Sequence, residues 1–316
     1  MRAPLQGVEI SGFNQNQFTA QSTYHSLQVT VARQLSSGLE FLAAYTYAKS
    51  IDNASGTGGG AGVVGVINSS AVGDTVGILG DQLNPRSNRG LSDFDRKHRL
   101  VVSYLWDLPH STFVERYRAS KFVLSNWSVS GIVTAMSGLP SDIVDSNAGS
   151  LYGLAGASTP LARPSFAPGF SNCSAATHNI PAGYYFNPLT FARPLVAAGQ
   201  PIPSSAASAI AGVPGTDIGN VGRNCLRGPR QSNVDFAVTK KFLLTESRNV
   251  EFRAEFFNLL NQVNLANPVS NLNAAISSGG KLDANTGQVL SPGDFGRIVS
   301  TSNNPRLIQF MLKFNF

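Results

Sequence analysis

The sequence predicts an all-β fold, an antiparallel up-and-down transmembrane β-barrel segment of about seven strands with long extracellular loops, and three observations predict it. The first is the segment Asn304 to Phe316, which alternates with hardly a break: Ile308, Phe310, Leu312, Phe314 and Phe316 share one face, and Leu307, Gln309, Met311, Lys313 and Asn315 share the other. Its 13 residues suffice for a tilted strand to cross a bilayer, which takes about 9 to 11. Bare in water, such an apolar edge would template aggregation, a hazard that pairing within a closed sheet in lipid removes. The second is composition. Only 13% of the 316 residues are charged, about half the usual fraction of a soluble domain, and the mean hydropathy of -0.02 is that of strands that alternate. No stretch of 18 apolar residues is present to form a transmembrane helix. The third is the spacing of the alternating segments, whose connections run short, long, medium, very long, short, long. Outer-membrane barrels carry short turns at the periplasmic end and long loops outside, so the two classes must alternate along the chain.

The first strand is expected over Tyr24 to Gln34, with Leu27, Val29 and Val31 against Ser26, Gln28 and Thr30. Ser36, Ser37 and Gly38 supply a tight turn. Leu39 to Ser50 completes the hairpin, with Phe41, Ala43, Tyr45 and Tyr47 opposite Glu40, Ala44 and Thr46. A glycine-rich loop over 51–96 leads to Lys97 to Trp106, whose His98, Leu100, Val102, Tyr104 and Trp106 lie on one side. After a connection of about 20 residues, Trp127 to Ser137 places Trp127, Val129, Val133 and Ala135 together. Loop 138–232 is the longest in the chain. Asn233 to Phe242 sets Val234, Phe236, Val238 and Phe242 against Asp235, Thr239 and Lys241, and a short turn leads into Val250 to Asn261, where Val250, Phe252, Ala254 and Phe256 oppose Glu251, Arg253 and Glu255. Loop 262–303 reaches the terminal strand.

Trp106 and Trp127 flank the medium connection and are expected to anchor one membrane interface, where indole rings prefer the headgroup layer. Seven strands is an odd number for a bacterial barrel. Either Gly7 to Gln17 adds a weak eighth strand, or the sheet is an arc of a larger barrel; small inward residues such as Ser26, Ala44, Ser103, Ser128 and Ser130 favour the arc, since a wide, wet lumen accommodates them. The amino end MRAPLQGVEISGF lacks the basic and apolar regions of a secretory signal, so the chain is expected to be the carboxyl-terminal part of something longer.

The formal charge of +6 and pI near 9.5 do not imply nucleic acid, because the basic residues are scattered without a long Lys/Arg run. Cys173 and Cys225 fall in one long loop placed outside the cell. They are either a disulfide or two small unpaired residues, and the oxidising location favours the bond.

The combination Tyr24-His25-Ser26-Leu27-Gln28, Tyr45-Thr46-Tyr47-Ala48-Lys49-Ser50, Ser92-Asp93-Phe94-Asp95-Arg96-Lys97-His98-Arg99, Gly138-Leu139-Pro140, Phe252-Arg253-Ala254-Glu255-Phe256-Phe257-Asn258 and the closing Phe316 resembles the carboxyl-terminal part of TonB-dependent outer-membrane transporters. Within them it is most similar to Oar-like receptors that carry a carboxypeptidase-regulatory-like domain at the amino end. The resemblance spans nearly all of the chain. It implies an arc of a barrel of about 22 strands with a plugged lumen, a cell outer-membrane location, import of a scarce ligand with energy passed through TonB, and insertion by the barrel assembly machinery through a terminal signal formed by Phe310, Leu312, Phe314 and Phe316. Plug, TonB-contacting segment and regulatory-like domain are all missing from the sequence, so gated transport is not expected of the chain alone, and no ligand residues carry over.

No enzymatic chemistry is expected, and no cofactor. Gly60-Ala61-Gly62-Val63-Val64-Gly65 matches GxGxxG without the strand-turn-helix context a dinucleotide site needs. His25, His98, His110 and His178 are too dispersed for a metal motif, and no GxSxG elbow occurs. Glu251, Arg253 and Glu255 either pair with a plug or neighbouring strand or simply face lumen water. Arg86, Arg89, Asp93, Asp95, Arg96, Lys97 and Arg99 cluster at the outer rim, where arginines could grip lipopolysaccharide phosphates, although a solvated loop base is the simpler reading. Two rival functions remain open: a soluble or surface adhesin folded as a β-sandwich, and a non-functional gene remnant, since open edges in lipid leave backbone groups unsatisfied.

Overall fold

A computed structural model of the protein describes residues 20–36, 38–53, 55, 84–109, 122–150, 162–196, 198, 212–245, 248–273 and 277–316. The weak strand expected over Gly7 to Gln17, the turn residue Ser37, the glycine motif at 60–65 and His110 lie outside the described residues.

All seven expected strands form. They are β1 (Ser22–Ser36), β2 (Leu39–Asp52), β3 (His98–Asp107), β4 (Trp127–Met136), β5 (Gln231–Leu243), β6 (Asn249–Phe257) and β7 (Leu307–Asn315). Each pairs antiparallel with its neighbour in chain order, and the two-residue strand Gly90–Leu91 adds to the far end of β2. Among the described residues the sheet is not closed: β1 pairs only with β2, and β7 only with β6. No second sheet of comparable size faces it among those residues, so the two-layer packing of a sandwich is absent there.

Register carries the alternation from strand to strand. One unbroken row runs Arg33, Phe41, Tyr104, Gly131, Phe236, Phe256, Ile308, and another runs Leu39, Trp106, Val129, Val238, Ala254, Phe310. The next row on the reverse side reads Glu40, Leu105, Ser130, Ala237, Glu255, Gln309. A period of two in each strand, joined in register, therefore produces one apolar and one largely polar face across the sheet. Tyr104 lies against Gly131 of the neighbouring strand, where a Cβ would come within 2.6 Å of its hydroxyl and 2.5 Å of the Asp235 carbonyl.

Two strand ends differ from expectation by three residues or more, the others by at most two. The segment expected to run to Asn261 stops at Phe257 because Asn258 turns left-handed (φ 52°), a conformation asparagine tolerates better than most residues. The Asn258 amide donates to Asp235 Oδ1 (2.9 Å) and its Oδ1 accepts from the Gln262 amide (2.7 Å), which fixes the departure. The terminal strand begins at Leu307, three residues later than expected; Pro305 has no N–H for a ladder, and the Asn304 carbonyl accepts from Asn258.

The turns between β1 and β2 and between β5 and β6 lie at one end, with the connection from β3 to β4. The three long connections, 53–97, 137–230 and 258–306, emerge at the other. Segments of the second and third knit through Val144 N–H to Ser270 O and Leu272 N–H to Val144 O, and around the short pairs Pro140–Ser141 with Leu226–Arg227, Ser165–Phe166 with Phe191–Ala192, and Lys281–Leu282 with Val289–Ser291. Their centre is apolar: Ile143, Phe186, Phe191, Leu272, Val289 and Phe295 are buried together, with Phe186 meeting the rings of Phe191 and Phe295 edge-on at 5.7 and 5.2 Å. Cys173 and Cys225 are bonded beside this core, their Cα atoms 5.6 Å apart. On the chain-entropy model, closing a loop of this length stabilises by about 4 kcal/mol. The result is a compact cap over one end of the sheet.

Candidate functional site

Arginine–carboxylate pairs hold the cap together and seat it on the sheet. Arg223 reaches from the cap to Asp52 at the end of β2 (2.5 Å) and to Asp93 (3.0 Å), and it also binds Ser55. Arg163 forks onto Asp142 (2.9 Å) and donates to Asn88 (2.7 Å), while Arg193 forks onto Asp145 (2.9 Å), which is fully buried. Arg227 pairs with Asp95. Bidentate guanidinium geometry suits such sites. Breaking a buried pair leaves a bare charge at a cost of about 3–5 kcal/mol, so these contacts fix the cap's position. The rim cluster is thereby divided. Asp93 and Asp95 face the cap's arginines, Arg96 donates to Ser137 O and Gln231 Oε1, and Arg86, Arg89, Lys97 and Arg99 are exposed.

Below the cap, the polar face of β1 and β2 is hollowed. Ala48 and Ser50 are small and buried, and with Tyr24, Phe94, Arg96 and Arg99 around them they bound a half-open cavity of about 430 Å3. Asp95 sits in its wall, accepting from the Ser50 amide (2.6 Å) as well as from Arg227. Burial, reinforced by the neighbouring positive charges of Arg99 and Arg227, pushes the Arg96 guanidinium below the usual arginine range.

Farther along the same face, Glu251, Arg253 and Glu255 stand at alternate positions of β6, opposite Lys313, Met311 and Gln309. Arg253 pairs with Glu255 at 2.8 Å, and its Nε is buried without an acceptor. The stripe therefore pairs partly with itself.

The apolar face ends at an aromatic rim away from the cap. Trp106 and Trp127 both lie on it, and the Trp127 indole donates to Val123 O at 2.9 Å. Lys240 breaks the apolar pattern of β5, yet it is only 1% exposed: its ammonium binds Ser125 O and lies over the rings of Trp127 (5.6 Å) and Phe242 (5.1 Å). On β7, Phe310, Leu312, Phe314 and Phe316 are 67%, 72%, 52% and 92% exposed. An apolar sheet face this wide is stable only against lipid or a large partner.

The family comparison decides between them. The model of the outer membrane beta barrel domain matches residues 1–309. The chain belongs to that outer membrane beta barrel family. Comparison with curated proteins and with solved structures gives no match. In outer-membrane barrels the apolar face meets lipid and the polar face meets the lumen; the hollow beneath the cap and the Glu251–Arg253–Glu255 stripe both lie on the polar face. Among the described residues no group of three or more His, Cys, Asp or Glu side chains could hold a metal ion.

The cap arginines Arg163, Arg193, Arg223 and Arg227 were not marked by any sequence signal, since their partners lie up to 171 positions away. Lys240 did leave one: a cation between Val238 and Phe242 interrupts an apolar face.

Proposed function

We propose that the protein is barrel wall and loop cap of a TonB-dependent outer-membrane transporter of the Oar-like type, lining the lumen and presenting ligand-gathering surface outside the cell. The two sheet edges would pair with further strands of the barrel, and β7 with its Phe310, Leu312, Phe314 and Phe316 face would be the segment the assembly machinery engages. Glu251, Arg253 and Glu255 would meet a plug seated in the lumen. The observation that carries the reading is the pairing of a polar lumen face with a cap built from two long loops at one end of the sheet. A sealed barrel filled by its own side chains has no use for either, whereas a receptor needs a surface that captures ligand and a passage behind it.

Arg253→Cys in the protein as carried by its own cells tests this. The native cysteines are bonded to each other, so position 253 would bear the reactive thiol. In a TonB-gated transporter, labelling by a membrane-impermeant maleimide should be slow, should accelerate in energised cells, and should lose that acceleration when TonB is deleted. A plain pore would label at one rate in both strains, and that result removes the TonB reading.

A further inference from the structure

We infer that the hollow beneath the cap is a binding site for a small ring-bearing anion, with Arg96 and Arg99 holding its carboxylate or phosphate and Tyr24 and Phe94 flanking its ring. The inference rests on the proposed function only in taking the lumen as the ligand's route.

The first support is an imbalance of charge. Each well-buried arginine of the cap, Arg163, Arg193 and Arg223, has its own carboxylate. Arg96 and Arg99 do not. Among the described residues Arg96 donates only to neutral acceptors, Ser137 O at 2.5 Å and Gln231 Oε1 at 3.0 Å, and Arg99 has no ion pair. The acid in the cavity wall, Asp95, is engaged by Arg227 and by the Ser50 amide. Two guanidiniums thus border one cavity with no free carboxylate between them among the described residues. The depression of Arg96 basicity by burial and by two neighbouring arginines describes the same deficit, and a bound anion would relieve it.

The second support is shape. Small residues at Ala48 and Ser50 leave the floor low, and the volume of about 430 Å3 falls within the range of small-molecule pockets. The third is the pair of exposed aromatics: Tyr24 and Phe94 are 55% and 62% exposed. In water these rings are unfavourable; against a flat ligand ring they gain stacking contact. Guanidiniums add planar, bidentate recognition of carboxylate or phosphate. Because the site lies on the polar face, lipid headgroups outside the barrel do not reach it.

The experiment uses the protein purified from its outer membrane in detergent, with 1-naphthyl phosphate and 1-naphthoate as anionic probes, neutral 1-naphthol as control, and titration calorimetry as readout. Wild type should bind at least one anion saturably, Arg99→Gln should weaken that binding by about tenfold or more, and Arg248→Gln at the opposite end should leave it unchanged. Phe94→Ala should weaken binding of the anion while the protein keeps its heat-modifiable migration. Equal affinity of wild type and Arg99→Gln, or no saturable binding by wild type, overturns the site. If Arg99→Gln does not fold, wild type decides: equal affinity for 1-naphthyl phosphate, 1-naphthoate and 1-naphthol overturns anion recognition. The two proposals fail separately, since binding is read without energy. Loss of binding with TonB-dependent labelling intact removes only the site, and binding with TonB-independent labelling removes only the gating.

Discussion

Gly131 shows how one residue sets the spacing of two neighbouring strands. Its missing side chain leaves room for the phenol end of Tyr104 and for the Asp235 carbonyl of β5 to come close. Gly131→Ala should therefore destabilise the folded barrel by about 1–3 kcal/mol, read as a lower urea midpoint of the heat-modifiable band. Tyr104→Ala should not rescue it, because the Asp235 carbonyl is backbone and cannot swing aside as a ring can. Full rescue would mean that the ring alone makes the site tight. Lys240 makes the complementary point. A cation on the apolar face of a membrane-spanning strand is expensive, and here its charge is turned onto Ser125 O and two aromatic rings at the end of the strand.

At the scale of elements, the hairpin Lys281–Leu282 with Val289–Ser291 is turned by a side chain. Asp283 accepts from the amides of Thr286 and Asn285, both at 2.8 Å, and these bonds hold its carboxyl below the ordinary aspartate range, with the Thr286 amide the largest contribution. The sign follows: a carboxyl whose folded value lies below its unfolded one adds stability at higher pH, and that stability is lost as pH falls from about 4 through the folded value. Amide-exchange protection of Asn285 and Thr286, corrected for intrinsic rates, should drop over this acid interval. Asp283→Asn should flatten the profile; an unchanged drop in that variant would assign the effect to another group. The cap's remaining elements are short, and a shared apolar core and the Cys173–Cys225 bond hold them where their own hydrogen bonds could not.

For the whole molecule, the decisive asymmetry is between two faces one residue apart. Phe310→Arg on β7 should cost about 2–4 kcal/mol near the bilayer midplane, whereas Gln309→Arg on the lumen face should cost close to nothing. The folded fraction after insertion, measured by heat-modifiable migration, checks both, and equal effects would overturn the assignment of the faces. The division into one apolar and one largely polar face was legible in the sequence, as were the seven strands, their order and the end from which the long loops leave. Alternation is local: a period of two appears wherever a strand has one wet and one dry side, and the partner's identity is not needed to read it. Strand ends were less legible, since Asn258 turns the chain through a left-handed backbone that depends on Asp235 across the sheet. The hollow beneath the cap was half legible, because Arg96 and Arg99 stood out as a basic cluster, but nothing local showed that Asp95 would be engaged by Arg227, 132 residues away. The cap itself was read only as loop. Ile143, Phe186, Leu272 and Phe295 follow no period, and Arg223 meets Asp52 across 171 positions; burial and pairing at such separation exist only once the chain is folded, so tertiary structure alone decided them.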